Sequence, residues 1–217
     1  MLSNVEMQKK VLEALDFEPS LDATHIGVAT NDGIVTLTGQ VPSYADKVAA
    51  ERAVKRIFGV KGIAINLEVR LAGDARRSDS DLAAAAVRAL EWDVQVPHQR
   101  IQVRVADAWV TLEGSADWNY QRESAYRAVR NLTGVRGVSN LIALTKKVMP
   151  GDVQSRIEKA LKRNAELEAH GIQVQTTGGK VVLEGKVHSW AEREEAENAS
   201  WSAPGVTEVV DHLVVTA

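Results

Sequence analysis

The sequence predicts an α+β protein of three tandem α-β-β-α-β units, in each of which two helices pack on a small three-stranded mixed sheet. Three observations support this prediction. A strand-like segment recurs with the same glycine, at Gly39, Gly114 and Gly185. A second glycine, followed by valine, comes twenty residues later each time, at Gly59, Gly134 and Gly205. A leucine from a helical pattern stands twenty-four residues before each of the first glycines, as Leu15, Leu90 and Leu161. We interpret the six glycines as structural positions of the repeat.

The first helix and the hairpin of unit one follow from their periodicity. Apolar residues recur at helical spacing at Met7, Val11 and Leu15, which predicts an amphipathic helix. Asp32-Gly33 separates two alternating runs and predicts a tight hairpin turn. Gly39 falls on the apolar face of the returning strand, where glycine costs stability unless another group approaches closely. We therefore expect the following helix to cross the sheet at Gly39.

The second helix and the third strand complete the unit. Ser43 is the candidate N-cap of this helix, and Gly59 is expected to end it. A strand over 63–69 follows, and the resulting crossover should be right-handed. Asn66 follows its Gly-Val pair at a distance one residue longer than Asn140 does in unit two. We therefore expect a β-bulge in unit one.

The same pattern places units at 1–70, 81–144 and 152–217, joined by linkers at 71–80 and 145–151. Ser80 is the candidate cap of the first helix in unit two. Domains of this size bury only about 60% of their unfolded surface, so contacts between units should add stability. Linkers of this length are compatible with separate beads or with a compact cluster, and the sequence leaves that choice open.

Composition narrows the class of protein. The chain has 217 residues, 45% of them hydrophobic and 25% charged, which is ordinary for a globular protein. A net charge of -3 argues against a general nucleic-acid binder, and no nucleic-acid partner is expected. There is no cysteine, which excludes disulfides, thiolate metal sites and a cysteine nucleophile. Without a signal-peptide pattern or a long apolar stretch, the expected location is cytoplasmic, with peripheral contact at the inner membrane.

The repeated unit resembles the BON domain, a small bacterial module of α-β-β-α-β form. Segments of the Leu-x-Gly-x-Val type carry the resemblance, at Leu37 to Val41, Leu112 to Ala116 and Leu183 to Val187. So do the alanine-bearing helix, the Gly-Val pair, and the Asn or Asp ahead of the final strand, at Asn66, Asn140 and Asp211. Unit two departs from the pattern at Ala116, where the family usually has valine. The resemblance implies a non-enzymatic module associated with osmotic and envelope stress, which binds phospholipid membranes or envelope partners.

No pattern in the chain predicts catalysis. None of the five histidines pairs with another at metal-ligand spacing. No nucleophile with a base, phosphate loop or metal cluster is recognisable. Gly59-Val60-Lys61-Gly62 is similar to the GxxG loop of an RNA-binding fold, but a turn that ends the helix is the favoured explanation. We predict that the protein is not an enzyme and has no catalytic residue, cofactor or metal.

Aromatic residues supply the candidate contacts. All five tryptophans lie in units two and three. Trp118, Tyr120, Arg122 and Trp190 fall near the starts of second helices, where they are candidates for contact with anionic lipid or a protein partner. For the tryptophans, packing of one unit on another is the favoured explanation, and contact with an external surface is the other. The predicted function is peripheral association with anionic phospholipid, and the alternative is a protein-interaction or self-assembling, chaperone-like scaffold with a protein partner or a second copy.

Overall fold

The computed structural model describes residues 3–71, 73, 76–145, 153–163 and 172–216, and it confirms the predicted α+β class with three repeated units. Unit one comprises α1 (Asn4–Asp16), β1 (Ile26–Asn31), β2 (Ile34–Val41), α2 (Tyr44–Lys55) and β3 (Gly62–Val69). Unit two comprises α3 (Asp79–Trp92), β4 (Ile101–Ala106), β5 (Trp109–Ala116), α4 (Asn119–Arg130) and β6 (Gly137–Leu144). Unit three comprises α5 (Val153–Arg163), β7 (Gln173–Thr177), β8 (Lys180–Val187), α6 (Trp190–Trp201) and β9 (Glu208–Val215).

Each unit has one mixed sheet with its second strand in the centre. In unit one β2 pairs antiparallel with β1 and parallel with β3, and units two and three repeat this order. The hairpin leaves the first and third strands at the edges. The second helix connects the two parallel strands, because a parallel pair needs a crossover connection.

The parallel ladder of unit one is continuous, so the predicted bulge is wrong. Leu37 pairs with Ile65, in the register in which Leu112 pairs with Asn140 and Leu183 with Asp211. Ile65, and not Asn66, therefore holds the position of the two polar residues. The prediction failed because it aligned the asparagines by type, whereas the sheet aligns residues by their hydrogen-bonding partners.

Gly39 is required by the backbone beside it rather than by a helix. Its φ is +120°, and a Cβ built there would overlap the carbonyl oxygen of His25. That carbonyl accepts a hydrogen bond from the Gln40 N–H at 3.2 Å. Gly114 repeats the arrangement with φ +124° against the carbonyl of Arg100. The expected helix crossing is thus replaced by a local kink that lets the hairpin partner approach.

Helix ends also differ from expectation at two places. Ser43 caps α2 as predicted, since its Oγ accepts from the Asp46 N–H at 3.2 Å. In unit two the cap is Ser78 rather than Ser80, and its Oγ accepts from the Asp81 N–H at 3.1 Å. Helix α2 ends at Lys55, and a turn separates it from Gly59.

A separate core fills each unit between its helices and its sheet. Alternate residues of the central strands are fully buried, as Val35 and Leu37 in unit one. The second helices meet the sheets through small side chains with no exposed surface, at Ala50, Ala125 and Ala196. Small residues let the helix axis lie close to the sheet, which explains why alanine recurs at this position.

The second helices also connect the units, because the start of one contacts the second half of the next. Tyr44, the first residue of α2, has its hydroxyl 3.1 Å from the hydroxyl of Tyr126 in α4. Arg122 in the first half of α4 lies over the ring of Trp201, the last residue of α6, at 4.8 Å. The same head-to-tail relation therefore joins unit one to unit two and unit two to unit three.

The third contact closes the ring. Lys55, the last residue of α2, has its Nζ 3.9 Å from Glu194 in α6. Next to this pair the rings of Phe58 and His188 stack with centroids 5.8 Å apart. Trp190, the first residue of α6, packs against the cores of both unit one and unit three. The three units are thus a compact ring and not separate beads.

Candidate functional site

The four residues proposed from the sequence occupy three different environments. Trp118 is half-buried and Tyr120 is 51% exposed, and both line a groove between the second helices. Arg122 covers Trp201, and its Nε lies 3.7 Å from Glu123 Oε1. The structure therefore brings Trp118 and Tyr120 together, while Arg122 stacks between units.

Trp190 packs between unit one and unit three. It packs against two cores, and the guanidinium of Arg193 lies 4.8 Å from its ring centroid. Its Nε1 is buried without a hydrogen-bond partner. This placement favours packing of one unit on another over contact with an external surface.

The most exposed aromatic side chains lie elsewhere, at the ends of the first helices. Phe17, the C-cap of α1, is 89% exposed, and Trp92, the last residue of α3, is 86% exposed. Val94, two residues beyond Trp92, is 97% exposed. We call these three residues the helix-end surface. Phe17 and Trp92 occupy the same position of the repeat, each at the end of the first helix of its unit.

The loop after α3 is anchored so that Trp92 and Val94 remain outside. The carboxylate of Asp93 accepts from the Gln95 N–H at 2.9 Å, and the Asp93 carbonyl accepts from the Val96 N–H at 2.9 Å. Val96 is 5% exposed and belongs to the core of unit two. Because the neighbouring residues are fixed to the core, the exposure of Trp92 and Val94 follows from the fold itself.

Sequence reasoning missed this surface although a signal was present. The repeat aligns Phe17 with Trp92. It also aligns Leu12 with Val87, and the side chains of Leu12 and Val87 are 46% and 44% exposed. An amphipathic helix normally carries polar residues on its outer side. Large apolar residues at the same outer helix position of units one and two are therefore the pattern in the sequence that indicates an exposed apolar surface.

The charges around the helix-end surface are mixed. Arg88 is exposed one turn before Trp92, and Glu91 and Asp93 flank Trp92 in the chain. Unit three has an arginine, Arg163, at the repeat position of Phe17 and Trp92. Apolar contact is thus the dominant property of this surface, with the exposed Arg88 beside it for attraction to anions.

Comparison with known proteins identifies the repeat. The family model of the BON domain matches the chain three times, over residues 3–70, 78–146 and 151–217. The chain belongs to the BON-domain family. Osmotically-inducible protein Y of Escherichia coli (strain K12) is 31% identical to this BON protein over 136 residues, which is 60% of this chain and 67% of the relative.

Solved structures show a weaker similarity. A structure of CdsD, described as a structural protein of the type III secretion system of Chlamydia trachomatis, is 15% identical to this BON chain with a TM-score of 0.27. The match covers 96% of this chain and 91% of that one. A structure of the CdsD C-terminal domain gives 15% identity and a TM-score of 0.25 over the whole of both chains. Values this low say nothing about the function of the BON protein.

The part of the chain that the structure describes contains neither a membrane-spanning helix nor a cluster of metal ligands. None of its helices is long and apolar enough to cross a membrane. Within the same residues, no three His, Asp or Glu side chains are grouped so that they would hold a metal ion. The candidate surfaces of this BON protein are thus the helix-end surface and the groove between the second helices.

Proposed function

We propose that this protein is a stress-related, non-enzymatic binding protein that associates peripherally with anionic phospholipid through the helix-end surface. Membership of the BON family and the similarity to an osmotically inducible protein support the stress-related role. The observation that carries the proposal is the exposure of Trp92, Val94 and Phe17. The expected cytoplasmic location remains a prediction.

The physical reason is the free energy of apolar side chains in water. Burying one side chain of this size contributes about 1.5–3 kcal/mol. Tryptophan is suited to the boundary between water and lipid, because its apolar ring carries one polar N–H. Arg88 stands beside Trp92 and would add attraction to anionic lipid, at about 1 kcal/mol for each basic residue near the surface.

Vesicle binding tests this proposal. We expect the wild-type protein to sediment with vesicles of phosphatidylglycerol and phosphatidylcholine at low salt, with a blue shift of tryptophan emission. The double variant W92S/V94S should bind at least tenfold more weakly, since the loss of about 2 kcal/mol of apolar burial lowers an affinity by more than tenfold. Val5→Ser is the matched control, because Val5 is 76% exposed at the opposite end of α1.

Two results would contradict the proposal. One is a wild-type protein that does not sediment with the anionic vesicles at low salt. The other is a W92S/V94S variant that binds as tightly as the wild type. Arg88→Gln tests the charge preference separately, and it should weaken binding to anionic vesicles without affecting vesicles of phosphatidylcholine alone.

A protein-interaction or self-assembling scaffold is the second candidate. The third strand of each sheet is an edge within the described residues, and Leu141 in β6 and Val214 in β9 are 60% and 58% exposed. Exposed apolar edge strands pair readily with other chains. Light scattering over a wide concentration range checks self-assembly, and a monomer at every concentration would remove that part of the candidate.

A further inference from the structure

The groove between the second helices, which we call the central groove, is large enough for a small molecule. Its volume is about 800 Å³, within the range of known small-molecule sites. Residues from all three units line it, so it exists only in the assembled ring. The side chains with chemical significance there are Arg52, Arg127, Arg130, Trp118, Tyr120 and Trp201.

The groove lies where unit two departs from the repeat at one position. The first residue of the second helix is Tyr44 in unit one and Trp190 in unit three, and both rings pack between units. The corresponding residue of α4 is Asn119. At this helix position an aromatic side chain therefore packs in two of the three interfaces, whereas the smaller asparagine stands at the third, beside Trp201.

The side-chain oxygen of Asn119 also lacks a hydrogen-bond partner within the protein. The residue is only 6% exposed and lines the groove, and its Oδ1 is buried with no hydrogen-bond partner. Buried side-chain amides in folded proteins normally have partners. Asn119 therefore leaves a hydrogen-bonding group beside the groove that no other protein group uses.

The groove has an excess of positive charge. Arg52 and Arg127 occupy the same position in α2 and α4, and Arg130 lies one turn further. None of the three forms an ion pair with a carboxylate in the described part of the chain. The Nε of Arg130 is buried without a hydrogen-bond partner.

The two carboxylates that line the groove already have other partners. Glu194 lies 3.9 Å from Lys55, and Glu123 lies 3.7 Å from Arg122. Three guanidinium groups against two carboxylates leave the groove with a net positive charge. Guanidinium groups suit phosphate because they donate several hydrogen bonds in one plane.

Aromatic rings stand next to these charges. Trp118 and Tyr120 come from the start of α4, and Trp201 comes from the end of α6. The guanidinium of Arg122 lies 4.8 Å from the ring of Trp201 and holds it in place. Aromatic side chains of this kind stack with nucleobases.

We propose that the central groove binds a nucleoside phosphate. The phosphate lies against Arg52, Arg127 and Arg130, the base stacks on the aromatic side chains, and Asn119 hydrogen-bonds to the ligand. This inference goes beyond phospholipid association and does not depend on it, because the groove and the helix-end surface share no residue.

Calorimetric titration with AMP, GMP, CMP and UMP tests the proposal, with adenosine, ribose 5-phosphate and inorganic phosphate as partial ligands. We expect at least one of the four nucleotides to bind at least tenfold more tightly than every partial ligand. The double variant R52Q/R127Q should weaken that binding at least tenfold. Arg104→Gln is the matched control, since its side chain is 68% exposed and pairs with Glu113 at 3.4 Å, outside the groove.

A second variant separates binding from folding. Asn119→Tyr places the residue of unit one at the interface between units two and three, so it should fill the groove and abolish nucleotide binding while the thermal transition is retained. The proposal is overturned if all four nucleotides fail to bind, if inorganic phosphate binds as tightly as they do, or if a folded Asn119→Tyr variant binds like the wild type. Vesicle binding by the same variant should be unchanged, which keeps this test distinct from that of the helix-end surface.

Discussion

The repeated glycines Gly39 and Gly114 hold a backbone conformation that other residues rarely adopt. Both have φ near +120°, and both lie against a carbonyl oxygen of the residue before the hairpin. A side chain at either place would meet backbone rather than a movable side chain. The strand must therefore shift or the hydrogen bond from Gln40 to His25 must break if Gly39 is replaced.

We predict that Gly39→Ala lowers the free energy of unfolding by about 2–3 kcal/mol, because strain in φ adds to the overlap with His25. Gly73→Ala is the control, since a Cβ there has nothing within 4 Å. Urea denaturation followed by circular dichroism measures both. Equal stability of the two variants would show that the backbone at Gly39 relaxes freely.

At the level of the elements, helix α6 and strand β9 are joined by a cluster of charged groups. Arg193 pairs with Asp211, whose side chain is 7% exposed, and the Asp211 carboxylate also accepts from the Leu213 N–H at 2.7 Å. Glu197, one turn further along α6, shares this environment. Burial first, and then the charge of Asp211, raises the pKa of the Glu197 carboxyl above its usual value.

The raised pKa predicts how stability depends on pH. The folded protein binds the Glu197 proton more tightly than the unfolded chain does. The stabilisation that this proton gives to the fold is therefore complete below about pH 4, and it is lost as pH rises through the pKa of Glu197 in the folded state. Glu197→Gln keeps a neutral side chain at every pH. We therefore expect its Tm to exceed that of the wild type at pH 7 and to equal it near pH 4.

Calorimetry at the two pH values measures this difference. Glu91→Gln is the control, because Glu91 is an exposed glutamate of α3. A Glu197→Gln variant whose Tm stays below that of the wild type at pH 7 would contradict the assigned cost of the charged carboxylate.

At the scale of the molecule, stability depends on closing the ring. Each unit has a separate core, and residues at the ends of the second helices join the units. Trp190 belongs to the interface that links unit three back to unit one, where it contacts both cores. Contacts between the units in the ring thus stabilise three units that would each be only marginally stable alone.

We predict that Trp190→Ala opens this interface. Replacing a buried tryptophan by alanine lowers the free energy of unfolding by about 3–5 kcal/mol. Because Trp190 is only half-buried, we expect a loss at the lower end of that range. Calorimetry should show a lower Tm and a separate transition for unit three. Trp92→Ala, which removes an exposed tryptophan, should leave the transition unchanged. A Trp190→Ala protein that melts in one transition at the wild-type Tm would show that the ring does not need this contact.

The repeat made most of the fold predictable. Glycines and helical apolar spacing appear three times, so chance matches were excluded and the element order followed. The predictions for Gly39 and Asn66 were wrong because the same residue type at those positions is compatible with two different structures. A glycine gives no sign of which neighbour approaches it, so the sequence does not distinguish a helix from the His25 carbonyl beside Gly39. Register depends on partners distant in the chain, so the sequence does not show that Ile65, and not Asn66, pairs with Leu37.

The sequence by itself determined the three units, their α-β-β-α-β order and their family resemblance, because these depend on local periodicity and on residues repeated at fixed spacing. Only the tertiary structure decided that the units close into a ring, that Trp190 packs between units one and three and that Trp92 stays outside. It also revealed the central groove, where Asn119 stands in place of an aromatic ring. The physical reason is that burial and charge compensation depend on which surfaces meet, and that is set by contacts between residues far apart in the chain.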